Sequence, residues 1–147
     1  MPDDYERQCA QIRTENKEVL ARFSEWLSQK GLSEKTISTH VSNIDFYINA
    51  FLLYEDATRP EEGVNSVNMF LGYWFIRKAM WASPSAIKSN AASLKKFYRF
   101  LHEQGRIDAR ALDDLRCTIR EGMPEWMETM NRYDNPDIED MNEVWGF

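Results

Sequence analysis

Residues 83–107 read SPSAIKSNAASLKKFYRFLHEQGRI, and this stretch predicts one long amphipathic helix. Ser83 suits the N-cap, and Pro84 suits the first helical position because its missing N–H would have no partner there. Gly105 marks the end, since glycine readily adopts the left-handed conformation that follows many helices. One side of this helix is apolar at helical spacing, through Ile87, Ala91, Leu94, Tyr98 and Leu101.

The same helix carries a separate cationic stripe. Lys88, Lys95 and Arg99 are seven and four residues apart, so at about 100° per residue they share a face, which Lys96 flanks. Lysines and arginines spaced along a helix can neutralise successive phosphates of a nucleic acid. An ordinary solvated face is the alternative, and charge alone favours it because charged helix faces are common.

Periodicity and capping residues predict five more helices around this one. Arg59 precedes Pro60, which disfavours helical geometry, so residues 55–63 are expected to form a loop. Gly122 and Pro124 are expected to break the chain between the last two helices. Glycine and proline are otherwise scarce, which favours an all-α fold. The predicted helices are Asp4–Gln29, Glu34–Tyr54, Val64–Met80, Pro84–Gln104, Ala109–Glu121 and Glu125–Tyr133.

The composition indicates a globular protein with no bound metal or cofactor. Apolar residues make up 43% of the 147 residues, which is enough for a core. The polar N-terminal residues predict no secretory signal, and the apolar run at residues 67–75 is too short to cross a bilayer, so a cytoplasmic protein is expected. Cys9, Cys117, His40 and His102 are far apart, which favours buried or half-buried free thiols over a zinc or redox site.

Charge is sorted along the chain. The total is −6, which by itself argues against nucleic-acid binding. Residues 1–62 hold 7 basic and 12 acidic side chains, residues 63–120 hold 10 and 4, and residues 121–147 hold 1 and 8. The middle of the chain is therefore basic, with net charge +6 between segments of −5 and −7.

Two segments resemble the N-terminal core-binding domain of phage integrases and tyrosine recombinases, a SAM-like helical bundle. The first runs from Phe23 through Gly31-Leu32-Ser33 to Tyr47, and the second is residues 83–107, with Leu94-Lys95-Lys96-Phe97-Tyr98-Arg99-Phe100-Leu101 at its centre. The resemblance covers about residues 5–107. It implies an orthogonal bundle of four to five helices over residues 1–122, followed by a short helix and an acidic tail over residues 123–147.

In that family the second and fourth helices lie against duplex DNA. The resemblance thus implies a DNA-binding module accessory to DNA recombination or integration, with duplex DNA and a recombinase or other protein as partners. Hydroxyl groups and amines suit phosphate oxygens, and Asn43 or Arg99 suits a base edge. The implied contact residues are Lys35, Thr36, Thr39, His40, Asn43, Ser85, Lys88, Ser89, Lys95, Lys96 and Arg99.

The sequence departs from the family in two places. Position 40 is His where the family commonly has Tyr. The second domain of the family, which supplies an Arg, a Lys, a His-x-x-Arg motif and a nucleophilic Tyr, has no counterpart, because only 40 residues follow Ile107 and none is His. We therefore expect a module without catalytic activity.

Three other interpretations stay open from the sequence. The fold could be a protein–protein interaction module that has lost DNA affinity, with Trp126, Trp145 and Phe147 as anchors. The acidic tail, residues 134–147, could fold back on the basic helix and compete with DNA. The aromatic residues Tyr73, Trp74, Phe75 and Trp81 are expected in the core rather than in a base-stacking platform.

Overall fold

The structure, a computed structural model, describes residues 4–134, and within that range it contains helices and no strand. The predicted all-α class is confirmed. None of these helices is long and apolar enough to span a membrane. The α-helices are α1 (Asp4–Gln29), α2 (Glu34–Phe46), α3 (Val67–Met69), α4 (Phe75–Lys78), α5 (Pro84–Glu103) and α6 (Ala109–Asp134).

The helix ends follow the capping residues. Ser33 Oγ accepts a hydrogen bond from the Thr36 N–H at 3.2 Å at the start of α2, and Ser83 Oγ accepts one from the Ala86 N–H at 3.0 Å at the start of α5. Gly31 and Gly105 have positive φ angles of 85° and 74°, a conformation that a side chain would strain. For this reason the predicted starts of α2 and α5 and the predicted ends of α1 and α5 are confirmed to within one residue.

The second and third predicted helices are interrupted by π-helical turns. α2 continues as one such turn at Tyr47–Phe51, and α3 and α4 are joined by another at Phe70–Trp74, after a 3₁₀ turn at Val64–Ser66. The two π turns meet, because the Phe51 ring centroid lies 5.0 Å from that of Phe70 and 5.3 Å from that of Trp74. Each π turn contains one residue more than an α-helical turn, which rotates the side chains that follow it. In this arrangement the aromatic side chains of the two segments pack together. Residues 64–78 are called the composite segment below.

The predicted break at Gly122 and Pro124 is wrong, because α6 runs through both residues to Asp134. A proline inside a helix costs about 3 kcal/mol. Beyond it, Trp126 and Met130 are buried, and burial of each such side chain contributes about 1.5–3 kcal/mol. The Trp126 indole N–H also donates to Asn68 Oδ1 at 2.9 Å, which fixes the end of α6 on the composite segment. Packing thus exceeds the cost of the proline.

α5 lies at the centre of the fold, where it packs against α1, α2 and α6. Its apolar side is fully buried, as its spacing predicts, and Phe23 and Phe97 meet edge to face with centroids 5.3 Å apart. The predicted loop at residues 55–63 holds a 3₁₀ turn, Pro60–Glu62, after an extended Arg59. Tyr47 of the first π turn and Tyr98 of α5, both buried, donate hydrogen bonds to the backbone of this loop.

Three predictions about individual side chains need correction. Trp126 is 2% exposed and is therefore no surface anchor. Tyr73 and Trp81 are 51% and 57% exposed, although Phe75 is in the core as expected. Cys9 is buried as a free thiol, whereas Cys117 is exposed, because it lies on the outer side of α6 among the described residues.

Candidate nucleic-acid interface

The cationic stripe predicted on the fourth helix lies on α5 and faces solvent. Lys88, Lys95 and Arg99 are exposed, and Lys96 is half-buried. Arg99 Nε forms an ion pair with Glu103 Oε2 at 3.3 Å, so its charge is partly neutralised. Within residues 4–134 the three lysines have no carboxylate within 4.0 Å. No carboxylate among the described residues therefore offsets their charge in an ion pair.

Lys95 lines a groove between α5 and α6, which the sequence did not predict. The groove has a volume of about 440 Å³, and Arg116 and Arg120 of α6 line it together with Ile119 and Met123. None of the described residues that line it is acidic. Arg116 and Arg120 are four residues apart, so they share a face of α6. The spacing of the two arginines can be read from the sequence, but only the packing of α6 on α5 brings their side chains beside Lys95.

Two of the five polar residues predicted on the second helix, His40 and Asn43, face α5 instead of solvent. His40 is 7% exposed, and its Nδ1 lies 2.7 Å from Ser93 Oγ. The Asn43 amide donates to Ser89 Oγ and Ser93 Oγ, both at 3.0 Å. These side chains join α2 to α5. The DNA contacts that the resemblance implies for His40 and Asn43 would therefore require these hydrogen bonds to break.

Burial lowers the pKa of His40, and the positive charge of Lys96 lowers it further. A neutral imidazole at this position offers one N–H donor and one acceptor nitrogen, which suits a hydroxyl partner such as that of Ser93. The seam between α2 and α5 is therefore a neutral hydrogen-bonded contact with a cation, Lys96, at its edge. His40 and Asn43 act as positioning residues for the two helices.

The remaining predicted residues are exposed or half-buried at the N-terminal ends of α2 and α5. Lys35 and Ser85 are exposed, and Ser89 is half-buried. Thr39 Oγ1 already donates its only proton to the Lys35 carbonyl at 3.1 Å, so it cannot also donate to a phosphate. Thr36 Oγ1 accepts from Ser33 Oγ at 3.0 Å and keeps its own proton for an outside acceptor.

The described part of the chain holds no group of three or more His, Cys, Asp or Glu side chains that could bind a metal ion. Residues 135–147, which include most of the acidic tail with Trp145 and Phe147, lie outside the described residues. Comparison of the chain with protein-family models, curated protein sequences and solved structures found no match.

Proposed function

We propose that this chain is a non-catalytic module that binds duplex DNA through a basic face on α5 and α6. The observation that carries the proposal is the groove that Lys95, Arg116 and Arg120 line together, with no acidic side chain among the described residues of its lining. The basic face is this groove together with the exposed Lys88 and Arg99 and the flanking Lys96.

The chemistry of the basic face suits phosphates more than bases. Arginine forks bind phosphate oxygens in pairs, and a lysine adds a mobile point charge. Each neutralised phosphate releases counterions, which favours binding at low salt. Because the net charge of the chain is −6, repulsion outside the basic face opposes association. The expected complex is weak, depends steeply on salt and shows little sequence preference.

The resemblance to the core-binding domain of tyrosine recombinases supports DNA as the ligand, with the orthogonal bundle of that family as the expected arrangement of the helices. On this basis we propose a role accessory to DNA recombination or integration. Our proposal differs from the family in its footprint. The hydrogen bonds of His40 and Asn43 with Ser93 and Ser89 favour α5 and α6, rather than α2 and α5, as the helices that meet the duplex.

Two charge-removal variants test this footprint. The first replaces the groove cations, as Lys95→Gln, Arg116→Gln and Arg120→Gln. The matched control removes the same charge from exposed positions of α1, as Arg13→Gln, Lys17→Gln and Arg22→Gln. Affinity for a labelled random duplex is measured by fluorescence anisotropy at low salt, after circular dichroism has shown that both variants are folded.

We expect the groove variant to lose most of its DNA affinity and the α1 variant to keep it, apart from the small change that an equal drop in net charge brings. Equal losses in the two variants would contradict the footprint. Absence of binding by the unsubstituted protein at the lowest salt would contradict the DNA-binding function itself.

A protein–protein interaction module is the alternative, and exposed apolar side chains favour it. Met80 is 99% exposed and the adjacent Trp81 is 57% exposed, whereas Trp126, the anchor expected from the sequence, is buried. Large exposed apolar groups often mark contact surfaces. If the protein fails to bind DNA, cross-linking through a photoreactive residue at position 80 tests this second function.

A further inference from the structure

A solvent-accessible cavity with aromatic walls lies beside the composite segment, on residues that the DNA-binding proposal does not use. Its volume is about 250 Å³. Four rings form its walls, and two carboxylates stand at its edge. The rings are those of Phe51, Tyr54, Tyr73 and Trp74, and the carboxylates are those of Glu55 and Asp56.

The rings are held together by packing. The Trp74 centroid lies 5.3 Å from that of Phe51 and 5.8 Å from that of Tyr54, both near edge-to-face. Phe51 and Trp74 are half-buried, whereas Tyr54 and Tyr73 are 53% and 51% exposed. The cavity therefore has a fixed apolar base and two partly exposed rings that a ligand can reach from solvent.

The charges around the cavity favour a cationic ligand. Glu55 and Asp56 are exposed, and neither has a cation within 4.0 Å among residues 4–134. The Arg77 guanidinium lies 4.1 Å from the Tyr73 centroid and Lys78 Nζ lies 5.6 Å from the Tyr54 centroid, so each tyrosine ring already has one cation beside it, and the two carboxylates at the cavity edge offset this positive charge for a cationic ligand. Neither Arg77 nor Lys78 lines the cavity itself.

We propose that this cavity binds the trimethylammonium group of a small quaternary ammonium compound. Aromatic faces attract a cation through the negative charge of the π system, and the attraction is stronger when the cation is poorly hydrated. Methyl groups on the nitrogen make it poorly hydrated and also fill an apolar cavity. The volume, below the roughly 300–1,000 Å³ of pockets for drug-sized ligands, suits a compound of this size.

Trp74 provides a reporter for this cavity. Its indole Nε1 is buried and has no hydrogen-bond acceptor among the described residues, so the N–H does not itself face the solvent-accessible space. The ring lines the cavity, so a ligand beside the ring changes the environment of the indole N–H.

The test is an NMR titration of the full chain with choline, followed at the assigned indole N–H of Trp74. The control ligand is dimethylbutanol, which has the shape of choline but carries carbon in place of the charged nitrogen. We expect choline to shift the Trp74 resonance in a saturable way, and dimethylbutanol to bind at least about threefold more weakly. No saturable shift, or equal affinity for the two compounds, would overturn the proposal.

Variants of Tyr73 distinguish a role of its ring in binding from an effect on folding, because this side chain is half exposed and contributes little to the core. Tyr73→Phe keeps the ring and is expected to bind choline within about twofold of the unsubstituted protein. Tyr73→Leu removes the ring and is expected to weaken binding roughly three- to tenfold. Equal affinity in the two variants would overturn the role of the ring. Neither result bears on DNA binding, so the two proposals stand or fail separately.

Discussion

The hydroxyl groups of Tyr47 and Tyr98 lie 2.9 Å apart in the buried centre of the protein. Tyr47 also donates to the Gly63 carbonyl and Tyr98 to the Pro60 carbonyl, each at 2.8 Å. Burial raises the pKa of both phenols, so both stay protonated at ordinary pH. Two hydroxyl protons thus fix the end of the loop at residues 55–63 to the first π turn and to α5.

Replacement of Tyr98 by Phe is expected to destabilise the protein by about 1–3 kcal/mol, because it leaves the Pro60 carbonyl without its donor inside the core. Urea unfolding measures the change. Tyr54→Phe is the matched control: its side chain is exposed, and it should change the free energy of unfolding by less than about 0.5 kcal/mol. Equal stability of the Tyr98 variant and the unsubstituted protein would show that the hydroxyl does not hold the loop.

A second prediction concerns the replacement of Gly122 by alanine, which is expected to destabilise the protein although the same change stabilises most helices. Alanine in place of glycine inside a helix normally stabilises by about 0.5–1 kcal/mol. A Cβ at Gly122 would overlap the Trp126 indole, which lies back over the preceding turn of α6. Gly122→Ala is therefore expected to lower the melting temperature of the protein, and to raise it in a Trp126→Leu background. Thermal melts followed by circular dichroism measure both, and stabilisation in both backgrounds would contradict the packing of Trp126 on Gly122.

His40 predicts a dependence of stability on pH. Its pKa in the folded protein lies below the ordinary value because of burial and then Lys96, so the unfolded chain binds a proton more readily. Stability is therefore full above about pH 7 and falls as the pH drops below about 6.5, until the folded protein also takes up the proton.

The check is the urea midpoint of unfolding between about pH 7.5 and about pH 5. His40→Asn keeps a side chain that can bond Ser93 but does not titrate, and it should lose less stability over this range. Parallel curves for the two proteins would mean that the neutral His40–Ser93 contact is not what the acid disrupts.

The sequence predicted those features that depend on neighbours along the chain. The N-caps at Ser33 and Ser83 and the left-handed glycines at positions 31 and 105 are local, and so α2 and α5 begin, and α1 and α5 end, within one residue of the predicted positions. The exposure of Lys88, Lys95 and Arg99 follows from spacing on one helix.

Features that depend on distant contacts could not be predicted in this way. Pro124 looks like a helix end until Trp126 is seen to pack on the composite segment and bond to Asn68. The π turns similarly arise where aromatic side chains from two segments meet. The groove is formed by Lys95 of α5 together with Arg116 and Arg120 of α6. No local sequence pattern predicts that these sides of the two helices meet. His40 and Asn43 look like ligand-binding residues until α5 supplies their partners.

The most direct test of the proposed DNA-binding function is the salt dependence of that binding. The affinity of the unsubstituted protein for a labelled random duplex is measured by fluorescence anisotropy from about 20 to about 300 mM salt. Contact of the basic face with several phosphates predicts a straight log–log plot with a slope of about −3 or steeper, since each phosphate contributes about −0.9. A flat plot, or no binding at the lowest salt, would contradict the claim that Lys95, Arg116 and Arg120 form a phosphate-binding surface.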